Sequence, residues 1–150
     1  FDVATVGESD RRPSEAERAE QGYYRILWDY AKGNPAVALH FWRESLLLTG
    51  AGTEHARIKV RLFKEPSATA LDAVEATLHF VLRAVVQLEL ARLEDLVACT
   101  QLPPADVADA LRFALGRGWI AVVADDRYRV TWHWYRAIIN MLRRQHLLGI

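Results

Sequence analysis

The sequence predicts a mainly α-helical chain with a small β-sheet. Apolar side chains recur at spacings of three and four residues over most of the 150 residues, as they do on one face of a helix. A few short stretches instead have the alternation or β-branched content of strands. Hydrophobic residues make up 51% and charged residues 25%, which is typical of a compact protein of one domain or two small ones.

The first part of the chain predicts a linker followed by a helix. Residues 1–13 contain glycine, serine, proline and scattered charge, so we expect a linker. Ser14 and Glu17 have the S-x-x-E spacing of a capping box, which begins a helix. Gly33 ends that helix, because glycine adopts a left-handed backbone at little cost.

The triplet Gly-Asn-Pro at 33–35 predicts a second helix directly after the first. Asn34 is a favoured N-cap residue, and Pro35 suits the first helical position because its missing amide is not needed there. We expect this helix to run to about Leu48 and to end before Gly50.

The middle of the chain predicts a loop, a strand and a long helix. Residues 51–55 are expected to form the loop. Residues 57–63 alternate apolar and basic side chains, which predicts a half-buried strand with Ile58, Val60 and Leu62 inward. From about Leu71 a long helix is expected, with one apolar stripe formed by Leu71, Val74, Leu78, Val81, Leu82 and Val85.

The last part of the chain predicts a helix-turn-helix, a hairpin and a final helix. The expected elements are helices over 93–99 and 104–115, strands over 119–123 and 127–131, and a helix over 133–147. A helix-turn-helix followed by a β-hairpin is the winged-helix arrangement.

Charge and composition argue against a strongly basic or acidic protein, a disulfide-stabilised protein and a membrane-spanning segment. The net charge is zero, although residues 101–150 carry seven arginines and only four aspartates. The single cysteine, Cys99, permits no internal disulfide and favours a reducing compartment, so we expect a cytoplasmic location. No apolar run approaches the ~20 residues of a membrane span. The chain begins at Phe1 without a signal-peptide pattern, and we expect it to be a fragment of a longer polypeptide.

Two resemblances meet in this chain. The stretch "LARLEDLVACTQLPPADVADALRFALGRGWIAVVADDRYRV", within residues 71–148, resembles a winged-helix domain. The stretch 14–48, with "GNPAVAL", resembles the small helical lid of an AAA+ or STAND-type ATPase. In many such ATPases a winged-helix domain follows the lid. The resemblance implies a lid-like segment over 14–50 and a winged-helix domain over 51–150, with its preceding strand and long helix.

The resemblance also implies a nucleotide contact in the full-length protein. In STAND-type proteins the proline of this motif lies against adenine, which assigns the contact to Asn34 and Pro35. ATP or ADP with Mg²⁺ would be bound by a preceding core. This chain contains no G-x-x-x-x-G-K-[ST] loop, so we expect it to be non-catalytic and without a cofactor of its own. The triplet is equally explained by helix capping alone.

The expected partners are the missing ATPase core, a partner protein or a second copy. The candidate contact residues are the seven arginines Arg112, Arg117, Arg127, Arg129, Arg136, Arg143 and Arg144. Asp106 and Asp109 on the predicted recognition helix oppose binding to phosphates, so a regulatory module that contacts protein is the leading hypothesis. The alternative is a DNA-binding winged helix that uses Arg112, Arg117, Arg127 and Arg129.

No other chemistry is predicted. The five histidines are dispersed without metal-ligand spacing, so we expect no metal site, and no nucleophile has a visible base partner. The aromatic residues of the first two helices are expected to join those helices together. Such a small unit cannot form a stable core unaided, so it must dock on the winged helix, the ATPase core or another copy.

Overall fold

The computed structural model describes residues 14–50, 52 and 57–149. The predicted linker 1–13 and most of the predicted loop 51–55 lie outside this range. In chain order the elements are α1 (Glu15–Ala31), α2 (Pro35–Ser45), β1 (Leu46–Thr49), β2 (Arg57–Val60), α3 (Thr69–Asp72), α4 (Ala76–Leu88), α5 (Leu93–Thr100), α6 (Pro104–Gly116), β3 (Ile120–Val123), β4 (Arg127–Val130) and α7 (Trp132–Arg144). The predicted fold class, mainly helical with a small β-sheet, is confirmed.

Helix α1 begins with the predicted capping box. The backbone N–H of Glu17 donates to Ser14 Oγ at 3.2 Å, and the backbone N–H of Ser14 donates to Glu17 Oε2 at 2.6 Å. The second of these bonds favours the ionised carboxylate and holds the pKa of Glu17 below its usual value.

Helix α2 ends earlier than predicted, at Ser45 rather than about Leu48. The chain turns into β1, which pairs antiparallel with β2, with Leu46 opposite Val60. Ser45 Oγ donates to the Phe41 carbonyl at 2.8 Å and accepts from the Tyr23 hydroxyl at 2.7 Å. These bonds fix the last turn of α2. The predicted boundary between residues 50 and 51 therefore falls between two strands that pair with each other.

The predicted half-burial of the strand after this turn is wrong. The strand covers Arg57–Val60, and Ile58, Val60 and Leu62 are 67%, 54% and 64% exposed. Alternation correctly indicates that these side chains share a face. It cannot indicate whether a second layer covers that face, and no element in the described part of the chain does so.

The predicted long helix is two helices, α3 and α4, because the backbone breaks at residues 73–75. The break lets Leu71 reach the core, where it is fully buried. The Leu71 carbonyl, left without a helical partner by the break, lies 3.3 Å from Nε2 of the buried His79 ring. Helix α3 is also held to α7, since Arg144 Nη2 donates to Asp72 Oδ1 at 2.7 Å.

The C-terminal part has the predicted order of helix-turn-helix and hairpin. Strands β3 and β4 pair antiparallel, with Ile120 opposite Val130, and a single 3₁₀ turn over Ala124–Asp126 connects them. Ala91, between α4 and α5, exchanges two backbone hydrogen bonds with Tyr128, which extends the hairpin on one side. The core beneath it contains Leu82, Leu96, Leu111, Trp119, Ile138 and Leu142. Among the described residues, no helix combines the length and the apolar character that crossing a bilayer requires.

The N-terminal helical pair, α1 and α2, packs on α7. Its own small core consists of Leu27, Tyr30, Ala31, Val37 and Phe41, and Trp132 and Tyr135 of α7 pack against it. Of the three docking surfaces expected for this pair, the C-terminal part, α3 to α7, is the one that the described residues provide.

Candidate functional site

The junction between α1 and α2 has the predicted capping geometry. Asn34 Oδ1 accepts hydrogen bonds from the backbone N–H groups of Ala36 at 3.0 Å and Val37 at 3.2 Å. Pro35 occupies the first turn of α2, and Gly33 has the left-handed backbone expected there, with φ of 81°. The Asn34 side chain is thus held rigidly at the N-terminus of α2.

Asn34 lines a cleft of about 510 Å³ between the start of α2 and the C-terminal part. The opposite walls come from α4, from the hairpin and from the start of α7. The residues that line it are Asn34, Val85, Val86, Glu89, Leu90, Val123, Arg129, Val130, Trp132 and Tyr135. The structure therefore brings two of the predicted contact residues, Asn34 and Arg129, to one cleft. Pro35 is exposed and does not line it.

Arg129 is the cationic side chain of this cleft. Its guanidinium stacks over the Trp132 ring, 4.5 Å from the ring centroid. Its Nε atom is buried and has no hydrogen-bond partner among the described residues. Buried donors are almost always paired, so an acceptor entering the cleft would satisfy this group.

Most of the other predicted contact arginines bind another side chain in the described part of the chain. Arg112 pairs with Asp109, Arg127 Nη2 lies 3.8 Å from Asp125 Oδ2, and Arg117 lies over the Phe113 ring. Arg144 binds Asp72, as described above. The Arg143 side chain is exposed and has no partner in the part of the chain that the structure describes. The seven arginines therefore do not form one continuous cationic surface of free side chains.

Arg136 links α7 to the end of α1. Its guanidinium lies 4.4 Å from the centroid of the Tyr30 ring, and its Nη1 donates to the Asp29 carbonyl at 3.3 Å. We expect Arg136→Ala to lower the free energy of unfolding by about 1–2 kcal/mol, because a cation–π contact and a charged hydrogen bond are lost.

This effect is measured by urea unfolding in a double-mutant cycle with Tyr30→Leu. We expect a coupling energy of about 1 kcal/mol. The control is Arg143→Ala on the same helix, for which a change within about 0.5 kcal/mol is expected. Equal losses for the two arginine variants, with no coupling to Tyr30, would contradict the contact.

The burial of Tyr30 is expected to make the folded protein less stable at alkaline pH. It is 2% exposed, and burial raises its pKa to about 12 from an ordinary value of 10. The unfolded chain then loses the Tyr30 proton at lower pH than the folded chain, so stability falls as the pH rises from 10 towards 12. The loss reaches at most about 2.7 kcal/mol. Urea unfolding across this range should show a shallower decline for Tyr30→Phe; an unchanged decline would contradict the assignment.

A second groove lies on the predicted recognition helix, α6. It measures about 550 Å³ and is lined by residues 73–75 between α3 and α4 and by residues of α4 and α6. The apolar residues include Val74, Leu78 and Phe113, and the acidic residues are Glu75, Asp106 and Asp109. This face therefore combines apolar surface with negative charge.

The structure also assembles a group that the sequence did not predict. His40 and Glu44 of α2 meet His133 of α7, which lies far along the chain. The i, i+4 spacing of His40 and Glu44 was a visible signal of two such side chains on one helix face. The approach of His133 depends on how α2 packs against α7, which no local pattern encodes.

The fold and the cleft define a helix-rich chain in which the start of α2 and the β3–β4 hairpin line one cleft. Comparison with protein-family models, curated proteins and solved structures finds no match for this chain. Its function is therefore inferred from its own geometry.

Proposed function

We propose that this chain is a non-catalytic regulatory and interaction module of an AAA+ or STAND-like ATPase. In this proposal α1 and α2 are the lid, and Asn34 and Pro35 face ATP or ADP held with Mg²⁺ by the ATPase core. The winged-helix part relays the nucleotide state or binds a partner protein. The observation that carries the proposal is the cleft that Asn34, Arg129 and Trp132 line together. Such a module would act in the cytoplasm.

The packing of α2 against α7 supports a relay. Phe41 of α2 stacks on His133 of α7, with ring centroids 5.7 Å apart, and Arg136 binds the end of α1. Packed interfaces of this kind switch between discrete arrangements rather than deform continuously. A nucleotide-driven rotation of α2 would therefore move α7 and the adjoining hairpin, or break these contacts.

Exposed apolar side chains support the core and a partner protein as the contacts of this module. Tyr24 and Trp28 are exposed and lie four residues apart on one face of α1, and they offer a surface on which an ATPase core could dock. The acidic, apolar groove along α6 suits a basic amphipathic segment of a partner protein better than a phosphate backbone. The pairing of Arg112 with Asp109 and of Arg127 with Asp125 also gives DNA binding less support.

The nucleotide contact is tested in the full polypeptide that contains this chain in its natural gene. Asn34→Asp and Asn34→Ser both retain a side-chain oxygen that can cap α2. Only the aspartate adds negative charge beside the anionic nucleotide, so we expect it to weaken ATP and ADP binding about tenfold relative to serine. Failure of the full polypeptide to bind nucleotide, or equal affinity of the two variants, would contradict the proposal.

The DNA-binding alternative has its own test. At low salt, where phosphate contacts are strongest, we expect this chain to produce no mobility shift of duplex DNA. A salt-dependent shift that disappears when Arg127 and Arg129 are both replaced by alanine would favour the alternative instead.

A further inference from the structure

Three potential metal ligands converge where α2 meets α7. His40 Nε2 lies 3.5 Å from Glu44 Oε1, and His133 Nδ1 lies 3.7 Å from Glu44 Oε2. One ligand atom from each of the three residues lies within 4.8 Å of the other two. Two helices from opposite ends of the described chain therefore supply one compact group of nitrogen and oxygen atoms.

The two ring nitrogens of this group lack hydrogen-bond partners. His40 Nε2 and His133 Nδ1 are both buried, and neither has such a partner in the described residues. Unpaired buried polar atoms are uncommon, and each requires a physical explanation. The Phe41 ring contacts both imidazoles and stacks on that of His133, which limits the rotation of the rings. The two nitrogens are thus held facing the same carboxylate.

We propose that His40, Glu44 and His133 bind a divalent transition-metal ion, Zn²⁺ in the first instance, which ties α2 to α7. Zinc is bound by imidazole nitrogen and carboxylate oxygen at about 2.0–2.2 Å in tetrahedral geometry, so its ligand atoms lie about 3.3 Å apart. Each histidine nitrogen lies within a few tenths of an ångström of that distance from one of the two Glu44 oxygens, His40 from Oε1 and His133 from Oε2. The ligand atoms of the two histidines lie within 4.8 Å of each other, so they would approach by up to about 1.5 Å on binding.

The site has room for a fourth ligand. Glu44 and His133 line a cavity of about 520 Å³, which also contains Arg43, Arg61 and Lys64. Three protein ligands leave one tetrahedral position for water or an exogenous group. The cationic side chains favour a small anion, such as phosphate or a carboxylate, at this position.

A metal at this point would regulate how the N-terminal helical pair sits on the winged-helix part. The ligands come together only when α2 is docked on α7, so metal binding stabilises the docked arrangement. This inference goes beyond the proposed function, because it requires neither a nucleotide nor an ATPase core.

The test uses the tag-free chain after removal of metal with a chelator. Titration with Co²⁺ should produce the intense visible absorption of a tetrahedral site, and calorimetry with Zn²⁺ should give one ion per chain. We expect His133→Gln and Glu44→Gln each to weaken Zn²⁺ binding by about 100-fold or more, since loss even of outer hydrogen bonds to ligands costs 10–100-fold. Zn²⁺ should also raise the melting temperature of the wild-type chain, with saturation at one equivalent.

His146→Asn is the matched control, because it removes a histidine outside the group and asparagine tolerates the left-handed backbone at that position. It should leave Zn²⁺ affinity unchanged. Circular dichroism in chelator verifies that each variant is folded, and the conservative Glu44→Gln change keeps the volume of the side chain. Wild-type affinity no tighter than that of folded His133→Gln, or an equal loss in His146→Asn, would overturn the proposal.

Discussion

Replacing Phe41 with alanine is expected to lower the free energy of unfolding by about 3–5 kcal/mol. The Phe41 ring is fully buried and lies 4.6 Å from the Tyr30 ring and 4.9 Å from the Phe63 ring, centroid to centroid. It also stacks on His133. Its loss would leave a cavity that joins the core of the N-terminal helical pair to the face of α7, so both the pair and its docking should weaken.

Leu39→Ala is the control for this prediction, because Leu39 lies on the same helix and is exposed. A change within about 1 kcal/mol is expected there. Urea unfolding followed by circular dichroism measures both variants. If Phe41→Ala costs no more than Leu39→Ala, the N-terminal helical pair does not pack as described.

Trp119→Ala is expected to have an effect of similar size, about 3–5 kcal/mol, in the C-terminal part. Trp119 is almost completely buried beneath the hairpin, between the rings of Phe113 at 5.8 Å and Trp134 at 5.9 Å. Its carbonyl accepts the backbone N–H of Thr131 at 3.0 Å. Removing the indole therefore leaves a cavity where the hairpin packs on α6 and α7.

Trp28→Ala is the control for this prediction. It is the same substitution, but Trp28 is 68% exposed on α1. We expect a change below about 1 kcal/mol, because little apolar surface is returned to water and alanine favours a helix. Thermal and urea unfolding compare the two variants. Similar losses for both tryptophans would contradict the assignment of Trp119 to the core.

Local signals predicted those parts of the fold that depend on neighbouring residues. Ser14 and Glu17 specify a capping box by their spacing, and Asn34 and Pro35 specify a helix start by their backbone preferences. The order of helices and hairpin after Leu93 also follows from periodicity and turn residues. In each case the relevant interactions lie within a few residues, so the sequence alone identifies them.

The errors arose where distant contacts decide the structure. Leu46 to Leu48 continue an apolar helix in sequence, but pairing with Arg57–Val60 draws them into a strand. The face of Ile58 and Val60 was predicted to be buried because alternation does not show which element covers a strand. Val74 continues the apolar spacing of a helix, so the sequence predicted no break there. The backbone nevertheless breaks beside Val74, and α3 packs on α7.

The candidate site was predictable only in part. Asn34 was identified by its motif, but its approach to Arg129 depends on how the N-terminal helical pair docks. The meeting of His40 and His133 depends on the same docking. Once α2 lies on α7, both groups of side chains are brought together at that interface.

Amide hydrogen exchange of the full polypeptide in its ATP-bound and ADP-bound states tests the proposed relay most directly. We expect protection to change together in α2, in α7 and in the hairpin formed by β3 and β4, because these elements share the cleft at Asn34 and Arg129. Changes confined to α1 and α2, or no difference between the two nucleotide states, would contradict it.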